Sequence, residues 1–208
     1  MVFSVPMAGF EQKKTAALRH VATALLALFV ASCGSGDYSD PPKSQGDICA
    51  IFAQRPEWRD AIQASAVKWS APVEVQMAII WRESSFRAEA RPPKTYAAGI
   101  IPTGRVSSAY GYAQALDGTW DWYIEQSGNS GADRDDFEDA ADFVGWYMTR
   151  TVRSNGVSMF DAFHQYLNYH EGHTGYRRGN WRNKAWLKRA AGQVAKQADT
   201  YRSQLDRC

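Results

Sequence analysis

The distribution of apolar and polar residues divides the chain into three parts. Residues 21–30 are mostly apolar, residues 34–46 are almost entirely small or polar, and from residue 47 onward apolar residues recur between helix start and stop signals. Strand-like alternation is scarce. These features predict one mainly α domain over residues 47–208, which is long enough to bury a substantial core.

Start and stop signals place the individual helices. Ser70, Asp117 and Ser158 are the predicted N-cap residues of three of them, and Gly128 and Gly156 follow the predicted ends of two. Asp117 is therefore interpreted first as a capping residue. The predicted helices span approximately residues 56–69, 72–84, 117–126, 135–154, 158–169 and 183–208.

One stretch of the domain, residues 87–110, lacks helix signals. It contains several prolines and glycines, namely Pro92, Pro93, Gly99, Pro102 and Gly104. Such residues favour irregular backbone and turns. We expect a long irregular loop that holds a short hairpin, and loops of this length in compact domains are often functional.

The N-terminal residues have the organisation of an export signal. Basic Lys13, Lys14 and Arg19 precede an apolar stretch too short to span a membrane, and small residues then lead to Cys33. Residues 1–32 resemble a bacterial lipoprotein signal peptide. The resemblance implies that Cys33 carries a lipid anchor, that residues 33–46 form a flexible tether, and that the protein is periplasmic. The alternative is an ordinary secretory signal in which Cys33 has no role.

Gly34 follows Cys33 directly, where an aspartate often signals retention in the inner membrane. Its absence favours an anchor in the outer membrane. Without residues 1–32 the chain has 21 Lys and Arg against 21 Asp and Glu, so the charge balance gives no support to nucleic-acid binding.

Two further cysteines, Cys49 and Cys208, lie near the two ends of the predicted domain. In an oxidising, exported compartment they are candidates for a disulfide bond that joins those ends. Two free thiols remain the alternative, because spacing in the sequence does not show that their Cα atoms approach.

Glu83 is a candidate general acid. It follows the apolar run Val75–Trp81, which indicates a buried helix. Burial disfavours an ionised carboxylate and raises its pKa, so Glu83 is expected to keep its proton to unusually high pH. Acid catalysis at neutral pH requires this property.

Three short motifs follow one another along the chain: Glu83-Ser84-Ser85-Phe86, Gly111-Tyr112-Ala113-Gln114 and Tyr169-His170-Glu171-Gly172. Together they resemble the soluble lytic transglycosylase (SLT) family, whose pattern is Glu-Ser, Gly-hydrophobic-Met-Gln and Tyr-Asn-x-Gly on a lysozyme-like helical fold. The resemblance covers approximately residues 58–181. It implies a monomeric enzyme that cleaves peptidoglycan glycan strands without a cofactor or metal.

The resemblance also implies roles for single residues. Glu83 corresponds to the one catalytic acid/base, Tyr169 to a tyrosine whose hydroxyl steadies that carboxyl group, and Gln114 to a glutamine in the sugar cleft. Ser84 in the first motif and Ser107 before the second are expected to contact substrate. Further substrate-binding candidates are Tyr112, His170, Glu171 and Tyr176.

The family mechanism cleaves the β-1,4 bond that follows N-acetylmuramic acid and leaves a 1,6-anhydromuramoyl end. Three features depart from the family pattern: Ala113 replaces methionine, His170 replaces asparagine, and 27 residues separate Glu83 from Gly111. The resemblance therefore implies an insertion over one wall of the cleft, within residues 87–110.

Two other functions stay open. A lysozyme-type hydrolase would use a second carboxylate to position water, for which Glu171, Asp117 and Asp121 are candidates. A non-catalytic glycan-binding lipoprotein is the other. A zinc site is not predicted, because His170 and His173 are three residues apart rather than four and a glycine breaks the helix between them.

Overall fold

The computed structural model describes residues 40–208, so the predicted signal peptide and Cys33 lie outside the described part of the chain. Within it the fold is mainly helical with one short hairpin, as predicted. The helices are α1 (Ile48–Gln54), α2 (Pro56–Trp69), α3 (Val73–Ser84), α4 (Asp117–Ser127), α5 (Phe137–Asn155), α6 (Ala162–Arg177) and α7 (Ala185–Leu205).

The helix ends agree with the predicted signals only in part. Gly128 and Gly156 end α4 and α5 in left-handed conformation, as predicted. Ser70 does not begin α3; it ends α2 with φ 54°, and Pro72 precedes the first residue of α3. Ser158 does not cap α6, because Asp161 accepts a hydrogen bond from the backbone of His164 instead. Asp117 does not cap α4 either: it is the first residue of the helix, after Leu116.

Helix α1 was not predicted, because its seven residues are too few for a clear periodic pattern. The Asp47 side chain accepts hydrogen bonds from the backbone N–H groups of Cys49 and Ala50 and so caps the helix. Ile48 and Ile51 are completely buried. Tertiary packing and the cap therefore stabilise this helix.

The core lies around α3, which contacts α2, α5 and α7. Ile79 and Ile80 of α3 have no exposed surface. Aromatic side chains fill the space between α2 and α5, where Trp58 stacks on Phe137 with ring centroids 4.0 Å apart. This packing fixes α3, and with it the position of Glu83.

The hairpin predicted within residues 87–110 is present. Strands β1 (Lys94–Ala97) and β2 (Ile101–Arg105) pair in antiparallel register with an irregularity between Thr95 and Tyr96. Most of its side chains are exposed, including Ile100 with 79% of its surface exposed. The hairpin therefore projects from the helical domain rather than joining its core.

The two ends of the described chain are joined. Cys49 and Cys208 form a disulfide bond with their Cα atoms 5.7 Å apart. The Gln45 side chain donates a hydrogen bond of 3.0 Å to the carbonyl of Ser85, and Tyr201 donates to the carbonyl of Gln45. Residues just before α1 are thus bound to the domain. No helix within residues 40–208 has the length and apolar character needed to cross a membrane.

Candidate active site

Glu83 lies in the last turn of α3, at an abrupt reversal of the chain. Ser85 and Phe86 have φ angles of 52° and 58°, a left-handed conformation that residues other than glycine rarely adopt. Their placement is stabilised because Phe86 is buried and the backbone N–H of Ser85 bonds to the carbonyl of Trp81 at 2.8 Å. The reversal ends the helix at Ser84, one residue after Glu83.

Glu83 lines a cavity of about 380 Å³. We call it the catalytic cavity. Its walls come from the end of α3, the loop that follows, the second motif and α6. The lining residues are Glu83, Pro92, Ser107, Ala109, Gln114, Leu116, Tyr169 and His170. Among the described residues that line this cavity, Glu83 is the one with an acidic side chain.

The environment of Glu83 favours its neutral form. Burial raises the pKa of Glu83 from 4.5 to about 7, against the smaller lowering effects of a hydrogen bond from Tyr166 and the positive charge of Arg82. At neutral pH the protonated and ionised forms are therefore both populated. A single carboxyl group in this state is suited to donate a proton and later to accept one.

Tyr166, a residue that the sequence analysis missed, is the neighbour whose hydrogen-bonding effect most lowers the pKa of Glu83. Tyr169, to which this role was assigned, donates its hydroxyl hydrogen bond to the carbonyl of Ala113 at 2.5 Å. Burial, followed by the negative charge of Glu83, raises the pKa of Tyr169 well above 10.0. Tyr169 is therefore next to Glu83 but anchors the second motif.

Spacing along α6 explains why two tyrosines reach one site. Tyr166 and Tyr169 are three residues apart, so both lie on the same face of the helix. This spacing was the only sequence signal for Tyr166. Leu116 was also missed: it lines the catalytic cavity with 47% of its surface exposed, and nothing in its sequence context marks it as a cavity residue.

Gly111 and Gln114 give the second motif its shape. Gly111 has φ 78°, and a Cβ atom there would lie 1.9 Å from the carbonyl oxygen of Arg134, so only glycine fits. Gln114 has φ 49°, and its side-chain N–H₂ donates to the carbonyls of Ala90 and Gly111 at 2.8 and 2.9 Å. These bonds hold the amide at the cavity wall and leave its oxygen available to accept.

Tyr112 does not line the catalytic cavity. Only 3% of its surface is exposed, and its ring packs edge-on against Trp58 and Phe137 in the core. Ala113, which replaces the family methionine, is completely buried next to it. The second motif therefore supplies Gln114 to the site and uses the two residues before it for packing.

The third motif divides between two cavities. His170 lines both cavities, and burial lowers its pKa from the ordinary value of 6.5, which favours the neutral ring. The Glu171 side chain is 4% exposed and accepts a hydrogen bond of 2.7 Å from Lys184. Glu171 faces a neighbouring cavity of about 200 Å³, which shares four lining residues with the catalytic cavity: Gln114, Leu116, Tyr169 and His170.

The other candidates lie away from Glu83 or face elsewhere. Ser84 is buried and donates its hydroxyl hydrogen bond back to the carbonyl of Ile80 at 3.2 Å. Tyr176 stacks on Trp181 with ring centroids 5.8 Å apart, outside the residues that line the catalytic cavity. Of the predicted serine contacts, Ser107 alone lines the cavity.

The candidate second carboxylates of α4 do not reach the site. Asp117 forms an ion pair of 2.8 Å with Arg134, and Asp121 is exposed to solvent. Neither lines the catalytic cavity. Within residues 40–208 no three His, Cys, Asp or Glu side chains cluster closely enough to hold a metal ion.

Comparison with protein families agrees with the motifs. The family model described as "Transglycosylase SLT domain" matches residues 21–208, a range that contains all three motifs. A comparison with curated proteins finds no match. Since the matched range covers most of the chain, the protein belongs to the transglycosylase SLT domain family.

Proposed function

We propose that this protein is a lytic transglycosylase with Glu83 as its single general acid/base. Membership of the SLT family implies transglycosylase activity on peptidoglycan. The bond proposed to break is the β-1,4 bond between N-acetylmuramic acid and N-acetylglucosamine. The observation that carries the proposal is that Glu83, with a pKa raised to about 7, is the one acidic side chain lining the catalytic cavity in the described residues.

In the first step, neutral Glu83 donates its proton to the glycosidic oxygen while the bond from that oxygen to C1 breaks. The carbonyl oxygen of the substrate's own N-acetyl group stabilises the positive charge at C1. Glu83 is left as a carboxylate, which the hydrogen bond from Tyr166 stabilises.

In the second step, the C6 hydroxyl of the same sugar attacks C1 and its proton passes to Glu83. This step forms the 1,6-anhydro ring and restores neutral Glu83 for the next turnover. Water takes no part in the balance, so one carboxyl group is sufficient.

Hydrolysis is the second candidate, because a positioned water would compete with the C6 hydroxyl. The positions of the other carboxylates support hydrolysis less well than the transglycosylase reaction. Glu171 is held by Lys184 and faces the neighbouring cavity, while Asp117 is paired with Arg134. The usual glycosidase pair of facing carboxylates is therefore not assembled around Glu83 by the described residues.

The products test the proposal. Protein without its leader is incubated with peptidoglycan sacculi, and the released muropeptides are weighed by mass spectrometry. Anhydro products, lighter by one water than hydrolytic products, support the proposal. Reducing ends would establish hydrolysis, and no release would establish a non-catalytic binding protein.

Glu83→Gln tests the proposed residue. It removes the proton donor with little change in shape and is expected to lower the rate by at least about 100-fold. Glu125→Gln, an exposed glutamate on α4, is the matched control and should keep the wild-type rate. Unchanged anhydro release by Glu83→Gln would refute the mechanism.

The proposal extends to location. We expect residues 1–32 to be removed and Cys33 to carry the lipid that holds the enzyme at the outer membrane, facing the periplasm. Cys33→Ser in the full chain should move the protein from the membrane fraction to the soluble periplasmic fraction. Unchanged fractionation would contradict the anchor.

A further inference from the structure

The end of the hairpin is an exposed surface without charge. Residues 96–104, which we call the apolar tip, include no Asp, Glu, Lys, Arg or His, and each of them is exposed to solvent. Ile100 and Ile101 have 79% and 58% of their surface exposed, and Tyr96 has 53%. Large apolar side chains that lie together on a protein surface mark a place where another surface docks.

The backbone of the hairpin holds the apolar tip away from the helical domain. The backbone N–H of Ile100 donates to the carbonyl of Ala97 at 3.2 Å and closes the turn. The hydroxyl of Thr103 donates to the hydroxyl of Thr95 at 3.0 Å and joins the two strands. With a rise of about 3.3 Å per residue, β1 extends the tip roughly 10 Å beyond Lys94.

Two cationic residues lie side by side at the base of the apolar tip. Lys94 and Arg105 are partners in the strand register, and both are exposed. Like charges that face each other repel, and neither residue forms an ion pair within residues 40–208. Their charges are therefore available to an anionic surface.

This order of side chains matches the layers of a bilayer. Apolar side chains of interfacial segments enter a membrane to a depth of about 5–10 Å, which is the reach of the apolar tip. Lys and Arg remain at the level of anionic headgroups, which attract them. Tyr96 also fits this level, because tyrosine is enriched at the boundary between the apolar layer and water.

The start of the described chain lies at the same base. Asp40 and Pro41 line a second cavity of about 540 Å³ together with Arg105. The charged side chains of this cavity are three arginines and two carboxylates, so the base remains net positive: Arg87, Arg91, Arg105, Asp40 and Glu89. Cys33 precedes Asp40 by seven residues, and an extended chain of that length spans at most about 25 Å. A lipid on Cys33 would thus keep the base of the hairpin close to the membrane.

We propose that the apolar tip inserts into the membrane interface and forms a second attachment to the bilayer, beside the lipid on Cys33. Tyr96, Ile100 and Ile101 enter the apolar boundary, and Lys94 and Arg105 bind anionic headgroups. The inference takes its setting from the proposed anchor, but insertion of the tip needs no lipid on the protein. Insertion of the tip alone is reversible, so washing releases the Cys33→Ser protein from the membrane.

Insertion has a consequence for the catalytic cavity. Pro92 and Ser107 flank the two strands, and both line that cavity. A hairpin held in the bilayer therefore keeps the catalytic cavity beside the membrane. The enzyme then acts on the glycan strands that lie nearest to the membrane surface.

The first test measures binding to vesicles. Protein without its leader, and thus without lipid, is floated with phosphatidylcholine vesicles that contain or lack phosphatidylglycerol. I100S/I101S should lower the partition coefficient by about tenfold or more, because two buried isoleucines are lost. The matched control is V67S/F160S, which removes apolar residues 85% and 67% exposed on other parts of the chain and should bind as the wild type does.

The second test measures the dependence on charge. K94Q/R105Q should lower binding to vesicles with phosphatidylglycerol by about fivefold for each cation, and binding to pure phosphatidylcholine should change little. Arg189→Gln, an exposed arginine of α7, is the control. Equal losses on both kinds of vesicle would contradict the role of the two cations.

Three outcomes would overturn the inference. The first is equal vesicle binding by the wild type and I100S/I101S. The second is self-association of the wild type in sedimentation velocity, lost in I100S/I101S and without vesicle binding, because the tip would then join two copies of the chain. The third is a lower rate of I100S/I101S on soluble glycan strands, which would assign the tip to the substrate. A wild type that binds vesicles through the tip but cleaves nothing would overturn only the proposed function.

Discussion

Replacing Glu83 with glutamine should stabilise the protein, and the gain should depend on pH. Burial raises the pKa of Glu83 from 4.5 to about 7 in the folded state. The folded state therefore binds more protons than the unfolded state between these two values, and stability falls as pH rises through them. Glutamine does not ionise, and its amide oxygen can still accept from Tyr166.

The size of the effect follows from the two pKa values. A pKa difference of one unit between the folded and unfolded states corresponds to about 1.4 kcal/mol. Glu83 is therefore expected to cost on the order of 3 kcal/mol of unfolding free energy above pH 7. Below pH 4.5 Glu83 is neutral in both states and the cost disappears. Glu83→Gln should thus match the wild type at pH 4 and exceed its stability at pH 8.

Urea unfolding at pH 4, 6 and 8, followed by circular dichroism, measures the difference between variant and wild type. Subtracting the wild-type unfolding free energy from that of the variant at each pH cancels the contributions of the other titrating groups. Glu125→Gln controls for the loss of a surface charge. A gain that is the same at pH 4 and pH 8 would refute the reasoning, because it would show that burial does not raise the pKa of Glu83.

Three further predictions concern the supports of the site. Tyr166→Phe removes a hydrogen bond that lowers the pKa of Glu83, so the alkaline limb of the pH–rate profile should move to higher pH. The shift should be larger than in the control variant Tyr169→Phe, and an alkaline limb that does not move would contradict the role of Tyr166. Gly111→Ala should cost about 2–4 kcal/mol of unfolding free energy, because its Cβ would lie 1.9 Å from a carbonyl oxygen. In the control Gly118→Ala the Cβ meets no atom within 4 Å, so the unfolding free energy should barely change. Reducing the bond between Cys49 and Cys208, 159 residues apart, should cost up to about 5 kcal/mol by loop-closure entropy, and unchanged urea unfolding after reduction would argue against that cost.

The sequence determined most of the helices and the hairpin. Helix ends depend on residues within one turn, such as Gly128 after α4 and Gly156 after α5, so a local pattern is sufficient to predict them. Helix α1 was missed because tertiary packing stabilises it, whereas α6 begins after a different local cap, Asp161, rather than the predicted Ser158.

The sequence also determined that Glu83 is unusual. An apolar run before a glutamate predicts burial, and burial alone raises the pKa. The three motifs identified the family to which the chain belongs. None of these inferences needs a contact between distant residues.

The identity of the side chains around Glu83 follows from tertiary packing. Tyr166 and Tyr169 share one face of α6, and the packing of that helix gives the hydrogen bond to Tyr166 and directs Tyr169 to Ala113. The same packing buries Tyr112 and turns Glu171 toward Lys184. A second cavity, lined by Arg87, Arg91 and Arg105, likewise joins the loop after α3, the hairpin and the start of the described chain. The physical reason is that a short motif fixes backbone geometry over a few residues, whereas the direction of a side chain depends on elements far apart in the sequence.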